Sequence, residues 1–307
     1  MQNFLSILDL DPDRLAKVLA LAAKLKRERV KGMKAPTAAA LNGKHVGLLF
    51  EKPSLRTRVT FTIGVRELGG DIVEIPADVM HADREPIQDV ARNLERWVDA
   101  VVIRTFAQER LSQIAEMTPK LHVINALSNE EHPCQALADM QTLTEKWSSF
   151  EGRRIAFVGD GNNVCASLVH VAMMLGMAVR VATPKGYELP DEVVDQAAAV
   201  SQEGAGLTEF TDPKAAVRDV DAVYTDVWTS MGQEVEYADR KKLFQRYQVN
   251  ENLMALAKPD ALFMHCLPAH RGEEVTDEVI ESPISVVFDQ AENRLHAQKA
   301  LLVQMLT

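Results

Sequence analysis

The sequence predicts an α/β protein of two lobes, each with a mainly parallel sheet flanked by helices. Short runs rich in β-branched residues alternate with helical patterns along the chain, and such alternation implies right-handed crossovers between parallel strands. A polar break at residues 148–152 interrupts the alternation, which then restarts. The length of 307 residues also fits roughly two domains.

The composition is that of a globular protein with a substantial core, since 47% of the residues are hydrophobic and 25% are charged. A net charge of −10 argues against a general binder of nucleic acid or of anionic membranes. Cys134, Cys165 and Cys266 are odd in number and lack C-x-x-C spacing, so we expect neither a disulfide framework nor a structural zinc site. With no export signal and no apolar run of ~18 residues in view, we expect a cytoplasmic protein.

The first lobe is predicted to open with a helix and to contain four strands. Asp11-Pro12 suits a helix start, and an apolar stripe at helical spacing runs from Leu15 to Leu25. The strands are predicted at residues 45–50, 71–75, 100–103 and 122–125, with a helix at 87–97 among those between them. A further helix, over about 133–147, leads to the polar break.

The second lobe is predicted to contain five strands, at residues 154–158, 178–182, 207–210, 222–225 and 261–265. We place the domain boundary near Ser149, which gives domains of residues 1–149 and 150–289, followed by a last helix within 290–307. In open α/β sheets, ligands bind beyond the carboxyl ends of strands, so the loops after the strands are the places to look for a site.

Two of these loops carry features of an anion site. After the first strand, Ser54-Leu55-Arg56-Thr57-Arg58 begins a helix, and hydroxyls, arginines and a helix N-terminus together suit phosphate. A capped helix with solvated arginines is the alternative, and no nucleotide P-loop motif is present. Arg104 follows the third strand. After the fourth, His132 can donate to a developing oxyanion and Gln135 can bind an amide.

In the second lobe, Gly159-Asp160-Gly161-Asn162-Asn163-Val164 resembles a dinucleotide-binding turn, but Val164 replaces the third glycine and no acid follows the next strand. A tight turn that presents Asn163 to a small polar ligand fits better. Asp226, at another strand end, suits an amine-bearing substrate. Cys266 is a nucleophile, a thiol modulator or a buried small residue, and a catalytic pair with His265 is not expected because adjacent strand residues point to opposite faces.

Four motifs stand in the order and approximate spacing found in the carbamoyltransferases. They are Ser54-Leu55-Arg56-Thr57-Arg58, His132-Pro133-Cys134-Gln135, the loop from Asp226 to Gly232, and His265-Cys266-Leu267-Pro268. The chain therefore resembles the aspartate/ornithine carbamoyltransferase family over essentially its whole length. The first two motifs are shared with aspartate-specific members, whereas the last two look like those of ornithine-specific members.

The resemblance implies two Rossmann-like lobes, the first for carbamoyl phosphate and the second for ornithine, with the helix of residues 290–307 crossing back to complete the first lobe. The implied reaction transfers the carbamoyl group of carbamoyl phosphate to the side-chain amine of L-ornithine, which gives L-citrulline and phosphate, a step of arginine biosynthesis. It implies no metal or organic cofactor, and a homotrimer or a multiple of trimers with sites near subunit interfaces.

The resemblance also assigns residues. The implied catalytic residues are Arg56, Arg104, His132, Asp226 and Cys266. The implied carbamoyl phosphate ligands are Ser54, Leu55, Arg56, Thr57, Arg104, His132, Gln135, Cys266, Leu267 and Arg294, and the implied ornithine ligands are Asn163, Asp226, Ser230 and Met231. Leu55 departs from the usual threonine, which is tolerable at a position that acts through its backbone N–H. Met80 stands where many relatives place a residue that reaches a neighbouring subunit, so either His81 substitutes or this contact is absent.

Three alternatives stay open. The acceptor could be aspartate, putrescine or an acylated ornithine such as N-acetylornithine, although Asp226 suits an amine better than a dicarboxylate. A catalytically silent paralogue would have no need of all five catalytic residues. A nicotinamide-dependent dehydrogenase is disfavoured by Val164.

Overall fold

The computed structural model describes residues 1–80, 85–229 and 234–307, which divide into two compact units. Unit 1 comprises Met1–Gln141 together with Glu292–Thr307, and unit 2 comprises Thr142–Ala291. The domain limits predicted from the sequence, at residues 149 and 290, are retained as a prediction because compactness alone does not define a segment that folds independently. In the described part of the chain, no helix is long and apolar enough to cross a membrane.

Unit 1 contains a four-stranded sheet of order β2-β1-β3-β4, in which all neighbouring strands are parallel. Its strands are β1 (His45–Phe50), β2 (Asp71–Ile75), β3 (Ala100–Arg104) and β4 (His122–Leu127). Its helices are α1 (Pro12–Glu28), α2 (Leu55–Glu67), α3 (Ile87–Trp97), α4 (Gln108–Met117) and α5 (Pro133–Lys146), the last of which continues into unit 2.

The apolar patterns of unit 1 are buried as the sequence predicts. Asp11 caps α1 by accepting a hydrogen bond from the backbone N–H of Arg14 over 2.8 Å, and the predicted stripe is buried: Leu15, Val18, Leu19, Ala22 and Leu25. All of β3 and the last five residues of β1 are buried, whereas β2, at the sheet edge, has no buried residue. The core therefore lies around the two central strands, β1 and β3.

Unit 2 contains a five-stranded parallel sheet of order β7-β6-β5-β8-β9. Its strands are β5 (Arg154–Val158), β6 (Ala178–Ala182), β7 (Gly206–Phe210), β8 (Ala222–Thr225) and β9 (Leu262–His265). Its helices are α6 (Asn163–Met174), α7 (Asp191–Ala199), α8 (Pro213–Val217), α9 (Tyr237–Phe244), α10 (Glu251–Met254), α11 (Asp277–Ile280) and α12 (Val287–Leu306), which continues into unit 1. Every residue of α6 after Asn163 is buried, so this helix runs through the core of the unit.

The predicted α/β architecture is confirmed, with small differences at element ends. β3 includes Arg104, because the backbone of this residue still pairs with Phe50 although its side chain is charged. β9 begins at Leu262 and not at residue 261. The last helix begins at Val287 and not at residue 290, and its final part packs within unit 1, where Lys299 donates a hydrogen bond to Glu67 over 2.8 Å.

Candidate active site

In unit 1, the candidate residues converge on the carboxyl ends of the strands. Residues 54–57 follow β1, Arg104 ends β3, and His132 and Gln135 follow β4. The sheet order reverses between β1 and β3, and such a switch point is where open α/β sheets bind ligands. We name the buried residues gathered here, with Arg56, the unit 1 cluster: Arg56, Thr57, Arg104, His132, Gln135 and Arg294.

The N-terminus of α2 is arranged to hold an anion. Ser54 caps the helix, and its Oγ accepts a hydrogen bond from the backbone N–H of Thr57 over 3.3 Å. The backbone N–H groups of Leu55 and Arg56 lie in the same first turn, where α-helices leave N–H groups without intrahelical partners. Because the Leu55 side chain is 73% exposed, this residue can contribute its backbone to a bound anion without its side chain taking part.

Arg294 joins two parts of the unit 1 cluster. Its guanidinium donates one hydrogen bond to Oε1 of Gln135 and another to Oγ1 of Thr57, the latter over 2.5 Å. Gln135 in turn donates to Asp139 over 2.8 Å. Arg294, Thr57 and Gln135 are all nearly fully buried, so α12 fixes the first turn of α2 relative to the first turn of α5.

His132 lies among the cations of the unit 1 cluster. It is 5% exposed and directly precedes α5. Burial, and after it the positive charges of Arg294, Arg104 and Arg56, hold the pKa of His132 well below its ordinary value. The imidazole is therefore neutral near pH 7, and the nitrogen that carries the proton can donate a hydrogen bond to an oxygen that becomes negative during a reaction.

In unit 2, Asp226 forms the centre of a second cluster. It follows β8 and is 5% exposed. Sγ of Cys266 donates to its Oδ1 over 2.9 Å, and Nδ2 of Asn162 donates to its Oδ2 over 2.8 Å. We name these three residues the unit 2 cluster. Both partners of the carboxylate are neutral, and among the described residues none forms an ion pair with it. A buried carboxylate in this state is suited to a ligand that carries an amine.

Asn162 is a site residue that the sequence analysis missed. Its Oδ1 accepts hydrogen bonds from the backbone N–H groups of Val164 and Cys165, so it caps α6, while its amide reaches Asp226. The predicted ligand, Asn163, is the first residue of the helix itself. The preference of asparagine for the N-cap position was the signal that could have separated the two neighbours.

Arg240, in α9, is a second residue that the sequence did not reveal. It is 5% exposed and donates to Asp160 over 2.7 Å and to the backbone carbonyl of Trp228 over 2.9 Å. Its guanidinium also lies 4.7 Å from the centroid of the Tyr187 ring. Burial raises the pKa of Asp160, and the ion pair with Arg240 opposes this effect. Arg240 thereby links the loop after β5, which carries Asn162, to the loop after β8, which carries Asp226.

The loop after β9 is held by His265. Its Nδ1 accepts from the backbone N–H of Leu267 over 2.9 Å, and its Nε2 lies 3.2 Å from Oε1 of the buried Glu274. Leu267 has a φ of 57°, which is unusual for a residue other than glycine. Both nitrogens of His265 thus have partners other than the thiol of Cys266.

The ligand atoms of Asp226, His265 and Cys266 lie within 4.8 Å of one another. A carboxylate, an imidazole and a thiolate would suit Zn²⁺. The hydrogen bonds from Cys266 to Asp226 and from Leu267 to His265 use the same atoms, so metal binding would have to break them. The carbamoyl phosphate ligands predicted at Cys266 and Leu267 lie in unit 2. The predictions for Ser230, Met231 and His81 concern residues outside the described part of the chain.

Together, the fold and the two clusters define a two-unit α/β protein with a group of arginine, histidine, threonine and glutamine side chains in one unit and a carboxylate–thiol group in the other. Two family models match the chain: the carbamoyl-P binding domain of aspartate/ornithine carbamoyltransferase over residues 2–145, and the Asp/Orn binding domain over residues 151–305. The chain belongs to the aspartate/ornithine carbamoyltransferase family.

Individual relatives agree with this assignment. An ornithine carbamoyltransferase from Halalkalibacterium halodurans is 47% identical over 99% of this chain and 95% of its own length. The solved ornithine carbamoyltransferase from Pyrococcus furiosus has a TM-score of 0.93 and 45% identity over 98% of this chain and 96% of that one. An acetylornithine transcarbamylase complexed with acetylcitrulline is also similar, with a TM-score of 0.88 and 31% identity over the whole of both chains.

Proposed function

We propose that this protein is an enzyme that transfers the carbamoyl group of carbamoyl phosphate to the side-chain amine of L-ornithine, which yields L-citrulline and phosphate. The observation that carries the choice of acceptor is the buried carboxylate of Asp226, whose partners Cys266 and Asn162 are both neutral. The side-chain amine of an acceptor can add a hydrogen bond to this carboxylate, which has no ion-pair partner among the described residues, whereas aspartate would bring a further negative charge.

The unit 1 cluster would bind and activate the donor. Backbone N–H groups at the start of α2, together with Arg56 and Arg104, would hold the phosphate. The neutral His132 and the hydroxyl of Thr57 would donate to the carbonyl oxygen as it becomes an oxyanion, and Gln135 would hold the carbamoyl amide. Removing one oxyanion donor typically slows the chemical step by ~10²–10³.

The unit 2 cluster would control the protonation of the acceptor. Only a neutral amine attacks, and an amine of pKa ~10.4 is neutral in about one molecule in 2500 at pH 7. Its nitrogen attacks the carbamoyl carbon, the bond from that carbon to the bridging oxygen breaks, and the electron pair leaves with the phosphate. The proton released by the nitrogen goes to this phosphate, which is the strongest base formed. Asp226 and Cys266 would orient the amine during these steps.

The assembly we propose is a homotrimer or a multiple of it. α2 exposes an apolar stripe at helical spacing, with Leu55 73%, Val59 44% and Ile63 36% exposed. The neighbouring edge strand β2 and helix α3 add Val73, 40% exposed, and Trp97, 67% exposed. Exposed apolar side chains gathered on a few elements of one unit are typical of subunit contacts. Light scattering should give about 102 kDa or a multiple, three times the chain mass of 34.1 kDa, and a species of 34 kDa at micromolar concentration would contradict this.

The activity can be tested by colorimetric detection of ureido products. Carbamoyl phosphate is offered with ornithine, N-acetylornithine, putrescine or aspartate at pH 8. We expect product with ornithine and at least ~10²-fold less with the others, because a missing or blocked polar group leaves buried partners unpaired. Product with N-acetylornithine instead would keep the donor half of the proposal and overturn the acceptor half. Folded protein without any product would favour a silent paralogue. A cytoplasmic location stays a prediction. It is consistent with the three cysteines, which are buried and form no disulfide among the described residues.

A further inference from the structure

Lys52 lies where three loops of unit 1 meet. It follows β1, precedes the helix cap Ser54, and is 5% exposed. Its Nζ donates to Oδ1 of Asn129 over 2.7 Å and lies 4.4 Å from the centroid of the Phe106 ring. Phe106 is in the loop after β3 and Asn129 is in the loop after β4. One buried ammonium group therefore contacts the loop that follows Arg104 and the loop that carries His132, while it belongs to the loop that carries Ser54.

Backbone hydrogen bonds join the same loops. The N–H of Asn129 donates to the carbonyl of Phe106 over 2.7 Å, and the N–H of Glu51 donates to the carbonyl of Arg104 over 2.8 Å. The Lys52 side chain extends this connection across all three loops. Its hydrogen bond and ring contact are to Asn129 and Phe106, which lie outside the unit 1 cluster, so Lys52 acts on a bound ligand through the position of the loops and through its charge near Arg104.

We propose that Lys52 is a positioning residue for carbamoyl phosphate: its ammonium group holds the three loops in the arrangement that binds the dianion, and the bound dianion in turn stabilises the positive charge of Lys52. This inference rests on the proposed function, and it deepens it by adding a residue that couples donor binding to proton uptake.

The charges around Lys52 give this coupling its direction. Burial, and after it the positive charge of Arg104, lower the pKa of Lys52 to about 8, while the negative charge of Glu51 opposes them. Glu51 also forms an ion pair with Arg110 over 2.6 Å and accepts a hydrogen bond from Thr105. The two side chains that contact the ammonium group of Lys52, Asn129 and Phe106, are neutral. A phosphate dianion beside Arg104 offsets the repulsion from that guanidinium, so the pKa of Lys52 rises in the complex. Donor affinity should therefore weaken as the pH rises through about 8.

The test is calorimetry with phosphonoacetamide, in which a methylene group replaces the bridging oxygen of carbamoyl phosphate. Titrations at pH 8.5 in two buffers of different ionisation enthalpy measure the protons taken up. At a pKa of about 8, Lys52 is protonated in about a quarter of the free molecules at this pH, so uptake should approach ~0.7 proton per site. The Lys52→Arg variant keeps the positive charge at this pH and should take up almost no protons. The Lys52→Met variant should likewise take up almost no protons, and it should bind phosphonoacetamide roughly tenfold or more weakly than the wild type.

Lys44→Met is the matched control, because Lys44 precedes the other end of β1 and its partner is Asp99, 3.0 Å away; it should retain wild-type uptake. Equal proton uptake in wild type, Lys52→Arg and Lys52→Met would overturn the inference, and so would unchanged affinity in Lys52→Met. Lys52→Arg keeps the test informative if Lys52→Met fails to fold. The calorimetry uses no acceptor, so its outcome is independent of the activity assay. Lys52-dependent proton uptake in a protein that forms no citrulline from ornithine would overturn the proposed function and leave this inference standing.

Discussion

The thiol of Cys266 donates a hydrogen bond to Oδ1 of Asp226 over 2.9 Å. The two residues follow β9 and β8, which are neighbours in the sheet of unit 2. An amine bound next to this pair can donate an N–H to the carboxylate of Asp226. The thiol of Cys266 can rotate its S–H as the amine binds. The pair is therefore the part of the protein that we expect to orient the attacking nitrogen.

Replacing Cys266 should separate its hydrogen bond from its size. Cys266→Ala removes the donor to Asp226 and should lower kcat/KM for ornithine by ~10–100-fold, since a buried acceptor loses its partner. Cys266→Ser keeps a donor and should lose less. Steady-state kinetics with each substrate varied in turn would show the effect, with Cys165→Ala as the buried-cysteine control. An alanine variant as active as the wild type would remove Cys266 from the account.

Arg56→Gly should nearly abolish turnover, by ~10³-fold or more, while the protein stays folded. The substitution removes a cation that holds the leaving phosphate, and glycine within a helix costs only ~1 kcal/mol of stability. Arg58→Gly, two residues further along α2, incurs the same helix cost but removes a half-exposed partner of Glu74. Citrulline assays and circular dichroism of both variants would suffice. Comparable losses in the two would show that the helix, and not the charge of Arg56, is what matters.

Arg240→Met should raise KM for ornithine by ~10-fold or more and change KM for carbamoyl phosphate little. The reason is that Arg240 connects Asp160 to the carbonyl of Trp228 and so holds the loop after β5 to the loop that carries Asp226. Arg246→Met is a matched control. Arg246 also donates to a backbone carbonyl, and its guanidinium lies 5.3 Å from the centroid of a tyrosine ring. It comes after the last residue of α9, however, and its partner carbonyl is in another loop. If both substrates were affected equally, Arg240 would be important for folding alone.

The fold should lose stability in mild acid because of buried histidines. Burial lowers the pKa of His170 and of His296 to about 4. A histidine whose pKa is lower in the folded state binds its proton more readily when unfolded. The free energy of unfolding is therefore greatest above pH ~6.5 and falls between there and about 4, by up to ~1.4 kcal/mol per pH unit for each such group. Urea unfolding at pH 7, 6 and 5 should show that the free energy of unfolding falls with decreasing pH, and that it falls less steeply in His296→Gln. The same dependence on pH in the two proteins would contradict the contribution of His296.

The fold could be predicted from the sequence because the local apolar patterns coincide with the residues that are buried in the structure. The strand β1 and the helix α3 lie at the predicted residues, since an uninterrupted apolar run or a periodic stripe reports its own burial. Arg104 shows where pattern fails: its charge predicts a loop, whereas its backbone completes β3 by pairing with Phe50. Side-chain polarity carries no information about a backbone hydrogen bond to a distant strand.

The candidate site was accessible only in part. Strand ends and the family resemblance directed attention to Arg56, His132 and Asp226. Arg240 and Lys52 were missed because each acts on partners far away in the sequence, 80 residues from Asp160 in one case and 77 from Asn129 in the other. Such pairs are invisible to a local pattern.

The most direct test of the central claim is the pH dependence of kcat/KM for ornithine, with carbamoyl phosphate kept saturating so that donor binding does not enter. If this protein carbamoylates the neutral side-chain amine of ornithine, kcat/KM should rise by roughly tenfold per pH unit at pH values well below the amine pKa of ~10.4. The rise should be measurable from pH 7 upward in the initial rate of citrulline formation at ornithine concentrations well below KM. A profile that is flat from pH 7 to 9.5, or the absence of citrulline at every pH, would contradict the account.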